Sequence, residues 1–254
     1  MSASNLFSLD GRVAIVTGAN TGLGQAIAVG LAQAGADIVA IGRSAPDETA
    51  DQVKAAGRKL YPVRADLGST AGIPEAVEQA WALAGRADIL VNNAGIIRRA
   101  DSLDFTEEDW DAVMDTNLKS AFFLSQAVAR RWVAAGQGGK IINIASMLSF
   151  QGGIRVPSYT ASKSGLAGLT KLLACEWAAK GINVNAIAPG YFATNNTAAL
   201  QADETRNRDI LARIPAGRWG RPEDLAGAAV FLASSASGYM QGAIVPVDGG
   251  WLAR

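Results

Sequence analysis

Two side chains that could transfer a proton stand one helical turn apart in the segment Tyr159-Thr160-Ala161-Ser162-Lys163. A helical pattern follows, and residues four apart on a helix project from the same face. Tyrosine ordinarily loses its proton at about pH 10. A neighbouring cation stabilises the phenolate and lowers this pKa, so Lys163 would make Tyr159 an acid or base usable at neutral pH.

The composition restricts which residues can do such chemistry. The chain has no histidine and one cysteine, Cys175. Catalysis by Ser-His-Asp or Cys-His groups is therefore excluded, as are metal sites built from histidine or from several thiolates. We expect no metal, and proton transfer must use Tyr, Lys, Asp, Glu, Ser or water.

Polar residues end two of the predicted strands, where a parallel sheet binds its ligands. Ser146 closes the run Asn143–Ser146 and could hydrogen-bond a carbonyl or alkoxide oxygen beside Tyr159. Asn92–Gly95 closes another run at the same edge. Asn117 lies inside a helical pattern, where asparagine is a poor helix former, and this indicates a local role.

A glycine-rich turn follows the first predicted strand and precedes the first predicted helix. Its sequence from Thr17 to Gly24 places Gly18, Gly22 and Gly24 in a G-x-x-x-G-x-G spacing. Glycines let backbone N–H groups approach a pyrophosphate, and the helix N-terminus adds partial positive charge. The turn therefore predicts a bound dinucleotide.

The end of the second strand bears on which dinucleotide is bound. An acid about 20 residues after the turn holds the ribose of NAD, whereas an arginine suits the extra phosphate of NADP. This segment contains Arg43 and no acid, because Asp37 stands at the other end of the strand. Arg43 favours tolerance of NADP, and the alternative is a solvent-facing arginine without a ligand.

These residues are carried by short β-branched runs that alternate with longer amphipathic segments. Such alternation predicts an α/β fold, a parallel sheet with helices on both faces. One domain over residues 1–254 is the simplest organisation, and the long polar connection 191–215 is expected to be an active-site lid. The predicted strands are Val13–Val16, Ile38–Ile41, Leu60–Val63, Ile89–Val91, Ile141–Ile144, Val184–Ile187 and Ile244–Val247, and the helices include Leu23–Ala34, Ile73–Leu83 and Glu107–Val133.

Charge and hydropathy exclude several partners. With 23 basic and 23 acidic residues, the chain has no net charge that would attract nucleic acid or an anionic membrane. No apolar stretch reaches the roughly 18 residues that a spanning helix needs, and the N-terminal residues lack the features of a signal peptide. A single cysteine fits a reducing compartment, so we expect a cytoplasmic protein.

Taken together, these motifs resemble those of the short-chain dehydrogenase/reductase family along essentially the whole chain. The resemblance implies a Rossmann-like, doubly wound parallel sheet of about seven strands. It also implies an NAD(P)-dependent oxidoreductase acting on an alcohol or ketone, assembled as a homotetramer partly through long paired helices. The shared motifs are Thr17–Gly24, Asp66-Leu67, Asn92–Gly95, Asn117, Ser146, Tyr159, Lys163, Pro189-Gly190 and Thr194.

The family pattern implies a role for each matching residue. Tyr159 would exchange the proton, and Ser146 would polarise the substrate oxygen. Lys163 would bind the nicotinamide ribose and lower the pKa of Tyr159, while Asn117 would hold a water that continues the proton relay. The cofactor-binding residues implicated by the motifs and the resemblance are Gly18, Asn20, Thr21, Gly22, Leu23, Gly24, Arg43, Asp66, Leu67, Asn93, Ala94, Gly95, Tyr159, Lys163, Pro189, Gly190, Phe192 and Thr194.

Several segments resemble one branch of the family, the 2-dehydro-3-deoxy-D-gluconate 5-dehydrogenases, also named 2-deoxy-D-gluconate 3-dehydrogenases. The branch implies a secondary alcohol or ketone on a keto-deoxy sugar acid as the substrate. It also implies NAD as the usual cofactor, which conflicts with Arg43. The segments are Ile96–Arg99, Ser146–Ser164, Ala188–Thr197, Ile214–Gly220 and Asp248–Arg254.

An acidic substrate needs a cation, and arginine can hold a carboxylate with two hydrogen bonds. Arg155 is the first candidate and Arg98 and Arg218 are the next, while Gln151, Asn195 and Asn196 could bind hydroxyls. The alternative for each arginine is a role at the surface or in a subunit contact. The alternatives are a reductase of another carbonyl compound, such as a 3-oxoacyl thioester or a polyol, and a nucleotide-sensing protein without catalysis. The polar sequence of the predicted lid argues against an acyl substrate, and the presence of Tyr159 and Lys163 argues against lost catalysis.

Overall fold

The computed structural model describes residues 6–254, in which seven parallel strands form one sheet. The strand order is β3-β2-β1-β4-β5-β6-β7, so the direction of winding reverses between β1 and β4. This order confirms the predicted Rossmann-like, doubly wound fold. The strands are β1 (Val13–Thr17), β2 (Asp37–Gly42), β3 (Leu60–Arg64), β4 (Ile89–Asn92), β5 (Gly139–Ile144), β6 (Ile182–Pro189) and β7 (Ile244–Val247).

The central strands are continuous apolar runs because helices cover both faces of the sheet. Every residue of β1 and of β4 is buried. The edge strands β3 and β7 are only partly buried, and each contains a proline, Pro62 and Pro246. Proline is tolerated there because an edge strand pairs on one side only.

The helices begin and end at residues suited to those positions. The Thr106 hydroxyl accepts a hydrogen bond from the Asp109 N–H and starts α4. Pro157 begins α6, and Gly85, with a φ of 75°, ends α3. The helices are α1 (Gly22–Gln33), α2 (Asp47–Ala55), α3 (Ile73–Ala84), α4 (Glu107–Met114), α5 (Ser120–Ala134), α6 (Pro157–Trp177), α7 (Ala198–Ala202), α8 (Glu204–Arg213) and α9 (Ala226–Ala233).

Two apolar layers hold these helices against the sheet. On one face, Ile27 of α1 and Leu232 of α9 lie in one buried cluster. On the other face, Val77 of α3, Leu124 of α5 and Leu173 of α6 lie in a second cluster. Within residues 6–254 no helix is both long and apolar enough to span a membrane.

The predicted long helix Glu107–Val133 is interrupted. Between α4 and α5 the backbone forms a π-helical turn over Asp115–Lys119, and Asn117 lies buried within it. Such turns occur frequently at functional sites. The residue singled out as a poor helix former therefore lies where the helix is irregular.

The connection 191–215 contains secondary structure of its own, α7 and α8. It forms a satellite apolar cluster in which Ile210 and Ile214 pack with Met147 and Trp251. Met147 lies three residues after the last residue of β5, and Trp251 lies near the C-terminus. The segment is thereby packed against the carboxyl edge of the sheet.

Candidate active site

The glycines of the turn after β1 occupy positions where a side chain would be strained or would collide. Gly18 and Gly22 have φ values of 63° and 58°, which glycine adopts readily. A Cβ on Gly24 would lie 2.1 Å from the Gly18 carbonyl oxygen and 2.3 Å from Asn93 Nδ2. The Asn93 amide in turn donates to the carbonyls of Thr17 and Gly18, so β4 fixes the shape of the turn.

The N-terminus of α1 adjoins this turn and has no side-chain cap. Thr21 occupies the cap position but its side chain makes no capping hydrogen bond, and the first turn contains no acid. An uncapped helix N-terminus carries partial positive charge and unpaired donors. The turn and the helix together therefore fit the pyrophosphate of a dinucleotide.

A cavity of about 620 Å³ runs along the carboxyl edge of the sheet from this turn to Tyr159. All the residues predicted to bind the cofactor line it, from Gly18 at the turn to Thr194 after β6. The predicted substrate residue Arg98 and the lid residues Asn195 and Asn196 line the same cavity. Its walls thus accommodate a dinucleotide and leave a side open to a second ligand.

The far end of the cavity lies beside β2 and β3. Gly42, Arg43 and Ser44 line it there, and Arg43 is exposed and pairs with no acid among the described residues. Asp66, which follows β3, lines the same end and accepts a hydrogen bond from the Gly68 N–H. An unpaired arginine at this end fits an additional phosphate.

Ser146 and Tyr159 meet at the other end of the cavity. Ser146 follows β5 with only 6% of its surface exposed, and its hydroxyl accepts a hydrogen bond from the Leu148 N–H. Burial raises the pKa of the Tyr159 phenol, while the Ser146 side chain and the positive charge of Arg99 oppose this rise. The expected lowering by Lys163 is not observed, because desolvation outweighs the neighbouring groups. Tyr159 is therefore a protonated donor at neutral pH.

Lys163 is buried one turn further along α6. Its ammonium group lies 5.7 Å from the centroid of the Tyr159 ring and donates to the Ile144 carbonyl over 2.6 Å. Burial lowers the pKa of Lys163 to about 8. A buried ammonium with one carbonyl partner has donors left for a ligand hydroxyl in the cavity.

Asn117 lies behind the cavity and does not line it. Its amide donates to the Ile96 carbonyl over 2.9 Å and its oxygen accepts from the Ile96 N–H over 2.8 Å. The amide also lies 3.3 Å from the Ser162 hydroxyl. The side chain thus ties the loop after β4 to α6, and the predicted relay water would have to use the Asn117 backbone carbonyl.

The predicted substrate residues have different surroundings. Arg98 forms an ion pair with Asp109 at 3.0 Å, and Arg155 forms one with Asp101 at 3.4 Å. Arg155 and Gln151 do not line the cavity. Arg218 pairs with Asp224 at 2.6 Å on the surface. Their roles in substrate binding stay predictions.

Arg99 was not singled out from the sequence, although it stands beside Arg98. Its guanidinium donates to the Asn196 carbonyl over 3.1 Å and pairs with no acid of residues 6–254. Its positive charge acts on the phenols of both Tyr159 and Tyr191, opposing the rise in pKa that burial causes in each. Arg98 lines the cavity and Arg99 does not, and two adjacent arginines give no sequence signal for this difference, so only the fold distinguishes them.

Comparisons with known proteins agree with this geometry. The family model described as enoyl-(acyl carrier protein) reductase matches residues 18–252. The 2-dehydro-3-deoxy-D-gluconate 5-dehydrogenase of Escherichia coli (strain K12) is 64% identical over 248 residues, which are 98% of each chain. The chain belongs to the short-chain dehydrogenase/reductase family. It is therefore an oxidoreductase that uses NAD(P), as the motifs predicted.

Two solved structures extend the likeness to the whole fold of this short-chain dehydrogenase/reductase. One, from Agrobacterium tumefaciens, is provisionally named a 2-deoxy-D-gluconate 3-dehydrogenase and holds NADP. It is 65% identical with a TM-score of 0.93, over 98% of this chain and 100% of that one. The other is a gluconate 5-dehydrogenase from Burkholderia cenocepacia in complex with NADP and tartrate. It is 41% identical with a TM-score of 0.94, over 100% of both chains.

Proposed function

We propose that this short-chain dehydrogenase/reductase interconverts a secondary alcohol and a ketone on a sugar acid. The compounds favoured are 2-dehydro-3-deoxy-D-gluconate and 2-deoxy-D-gluconate, after the names of the similar proteins. The observation that carries the proposal is Arg99, a cation without an acidic partner among the described residues, whose guanidinium donates to the carbonyl of the cavity-lining lid residue Asn196. An uncompensated arginine there favours an anionic substrate.

In the proposed reaction, Tyr159 and Ser146 act on the same substrate oxygen. The nicotinamide cofactor supplies or accepts the hydride at the reacting carbon. In the direction of reduction, the Tyr159 phenol gives its proton to the oxygen while the Ser146 hydroxyl donates a hydrogen bond to it. In oxidation, Tyr159 would first release its proton to the relay, and its phenolate would then take the proton of the alcohol. Lys163 would hold the nicotinamide ribose. Protons would pass between Tyr159 and solvent through Lys163 and a water that donates a hydrogen bond to the Asn117 carbonyl.

The substrate carboxylate is held by Arg99 in this proposal. Arg98 and Arg155 are weaker candidates because Asp109 and Asp101 already compensate their charges. The lid residues Asn195 and Asn196 line the cavity and could bind the sugar hydroxyls. The connection 191–215 acts as the lid that covers them.

NADP is the favoured cofactor. Arg43 lines the cavity where no acid is available to hold a free ribose hydroxyl at the end of β2. Both of the solved structures described above hold NADP. The proposal therefore departs from the NAD preference that the family branch implied.

A cytoplasmic homotetramer is the proposed state of the protein. Exposed apolar side chains on the long helices support association, namely Phe123 and Val133 of α5 and Leu172 of α6. The single cysteine supports a reducing compartment. Sedimentation equilibrium tests the assembly, and a monomer at micromolar concentration would contradict it.

A substrate assay tests the reaction. The enzyme is supplied with NADPH or NADP and with 2-dehydro-3-deoxy-D-gluconate, 2-deoxy-D-gluconate, a neutral polyol or a 3-oxoacyl thioester, and nicotinamide absorbance is followed. We expect kcat/KM to be highest for a sugar acid. The 3-oxoacyl alternative is less favoured because the connection 191–215 is polar, and faster turnover of the thioester would overturn the sugar-acid proposal.

A further inference from the structure

Three segments that are distant in sequence meet at the side-chain oxygen of Gln151. The Arg213 guanidinium donates to this oxygen over 3.1 Å, and the Trp251 indole N–H donates to it over 3.2 Å. Gln151 lies on the loop that follows Ser146, Arg213 is the last residue of α8, and Trp251 begins the C-terminal turn. Both acceptor positions of the amide oxygen are therefore in use.

Contacts with the Trp251 ring join the same segments. Trp251 is 4% exposed, and the Arg213 guanidinium lies 4.1 Å from the centroid of its ring. The Tyr191 ring packs against Trp251 with 4.7 Å between centroids. At the end of α8, the Arg254 guanidinium donates to the Arg213 carbonyl over 3.1 Å. The C-terminal turn thus holds the end of α8 and the start of the 191–215 segment together.

We propose that Gln151, Arg213 and Trp251 form a latch that holds α8 against the loop carrying Ser146, and that Gln151 is a positioning residue for the lid. None of the three lines the cavity. The latch sets how often the lid is closed over the substrate, whereas the dinucleotide is bound elsewhere along the cavity. The latch proposal rests on the proposed function only for the choice of substrate in the kinetic assay.

Two substitutions of Gln151 separate a latch from a substrate ligand. Gln151→Met keeps the length of the side chain and removes the acceptor, so both hydrogen bonds are lost. Gln151→Glu keeps an acceptor for Arg213 and Trp251 but would repel a substrate carboxylate. Since each hydrogen bond is worth roughly a factor of two to ten in an equilibrium, we expect Gln151→Met to raise KM for the sugar acid about fivefold or more. kcat and NADPH affinity should change less than about twofold.

Limited trypsin digestion of the NADPH-bound enzyme measures how accessible α8 of the lid is, and it requires no substrate. Arg206 and Arg208 are exposed cleavage sites on α8. Cleavage after them should be about fivefold faster in Gln151→Met, unchanged in Gln151→Glu, and faster in Trp251→Phe, which loses the indole N–H and keeps a ring. The control variant is Gln137→Met, at an exposed glutamine outside the latch.

The outcomes discriminate between the roles. If Gln151→Glu raises KM as much as Gln151→Met does, with wild-type cleavage rates in both, Gln151 binds the substrate and the latch is wrong. Wild-type KM and wild-type cleavage in Gln151→Met also overturn it. If no sugar acid is turned over, the cleavage rates still test the latch, so its failure is distinguishable from that of the proposed function.

Discussion

The Lys163 ammonium donates a hydrogen bond to the Ile144 carbonyl over 2.6 Å, and only 4% of the Lys163 surface is exposed. Ile144 is the last residue of β5 and lies two residues before Ser146. This bond joins α6 to the end of the strand, and Tyr159 stands one turn before Lys163 on the same helix. The spacing between the phenol and the Ser146 hydroxyl therefore depends on a buried charge.

The buried charge predicts a pH dependence of stability. The pKa of Lys163 is about 8 in the folded chain and 10.5 in the unfolded chain, so between these values the unfolded chain binds the extra proton. Stability therefore rises with pH through this window. Relative to Lys163→Met, the free energy of unfolding of the wild type should increase by about 2 kcal/mol from about pH 7.5 to about pH 9.5. Urea unfolding at several pH values measures it, and a flat or falling difference would contradict it.

Tyr159→Phe should abolish proton transfer and leave the cavity intact. General acid–base assistance is worth about 10²- to 10⁴-fold in rate, so kcat should fall by at least that factor. NADPH affinity, measured by fluorescence titration, should stay within about threefold of the wild type. A variant that keeps more than about a tenth of wild-type turnover would show that another group moves the proton.

The seven strands were predictable from the sequence because buried parallel strands consist of unbroken runs of apolar, mostly β-branched residues. Their ends were less so. β5 begins at Gly139 and β6 extends to Pro189, beyond the apolar runs, since pairing with neighbouring strands continues past the last large side chain. The π-helical turn over Asp115–Lys119 was also not predicted, and the Asn117 side chain within it bonds to Ile96, which lies in another segment of the chain.

Candidate catalytic residues were easier to find in the sequence than candidate substrate-binding residues. Tyr159 and Lys163 share a local spacing, which sequence alone reveals. Arg98 and Arg99 are adjacent, but Arg98 pairs with Asp109 of α4 whereas Arg99 donates to the Asn196 carbonyl. Gln151 has no local signal, since its partners Arg213 and Trp251 are 62 and 100 residues away.

Arg43→Asp should reverse the preference between the two dinucleotides. A carboxylate at this end of the cavity would repel the additional phosphate of NADP and could accept a hydrogen bond from the ribose hydroxyl of NAD. Loss of one charge-assisted interaction predicts about a tenfold to hundredfold weaker binding of NADP, with NAD affinity unchanged or improved. Titration calorimetry with each cofactor measures this. Equal changes for both cofactors would place Arg43 outside the phosphate site.

Arg99→Gln should remove the preference for an acidic substrate. The glutamine keeps a donor for the Asn196 carbonyl, so the lid contact survives while the charge is lost. Because the charge-assisted pair with the substrate carboxylate is lost, we expect the KM for 2-dehydro-3-deoxy-D-gluconate to rise about tenfold to hundredfold. The KM for an uncharged polyol or lactone analogue should change little.

Arg98→Gln and Arg155→Gln are the matched controls for Arg99, because each removes an arginine charge that Asp109 or Asp101 already compensates. Their KM values for the acid should rise less than about threefold. If the acid preference collapses only in Arg155→Gln, the carboxylate is held by Arg155 and the assignment to Arg99 is wrong. If the wild type itself shows no preference for the acid over the neutral analogue, none of these arginines binds a substrate carboxylate. The substrate then belongs to a class of compounds other than sugar acids.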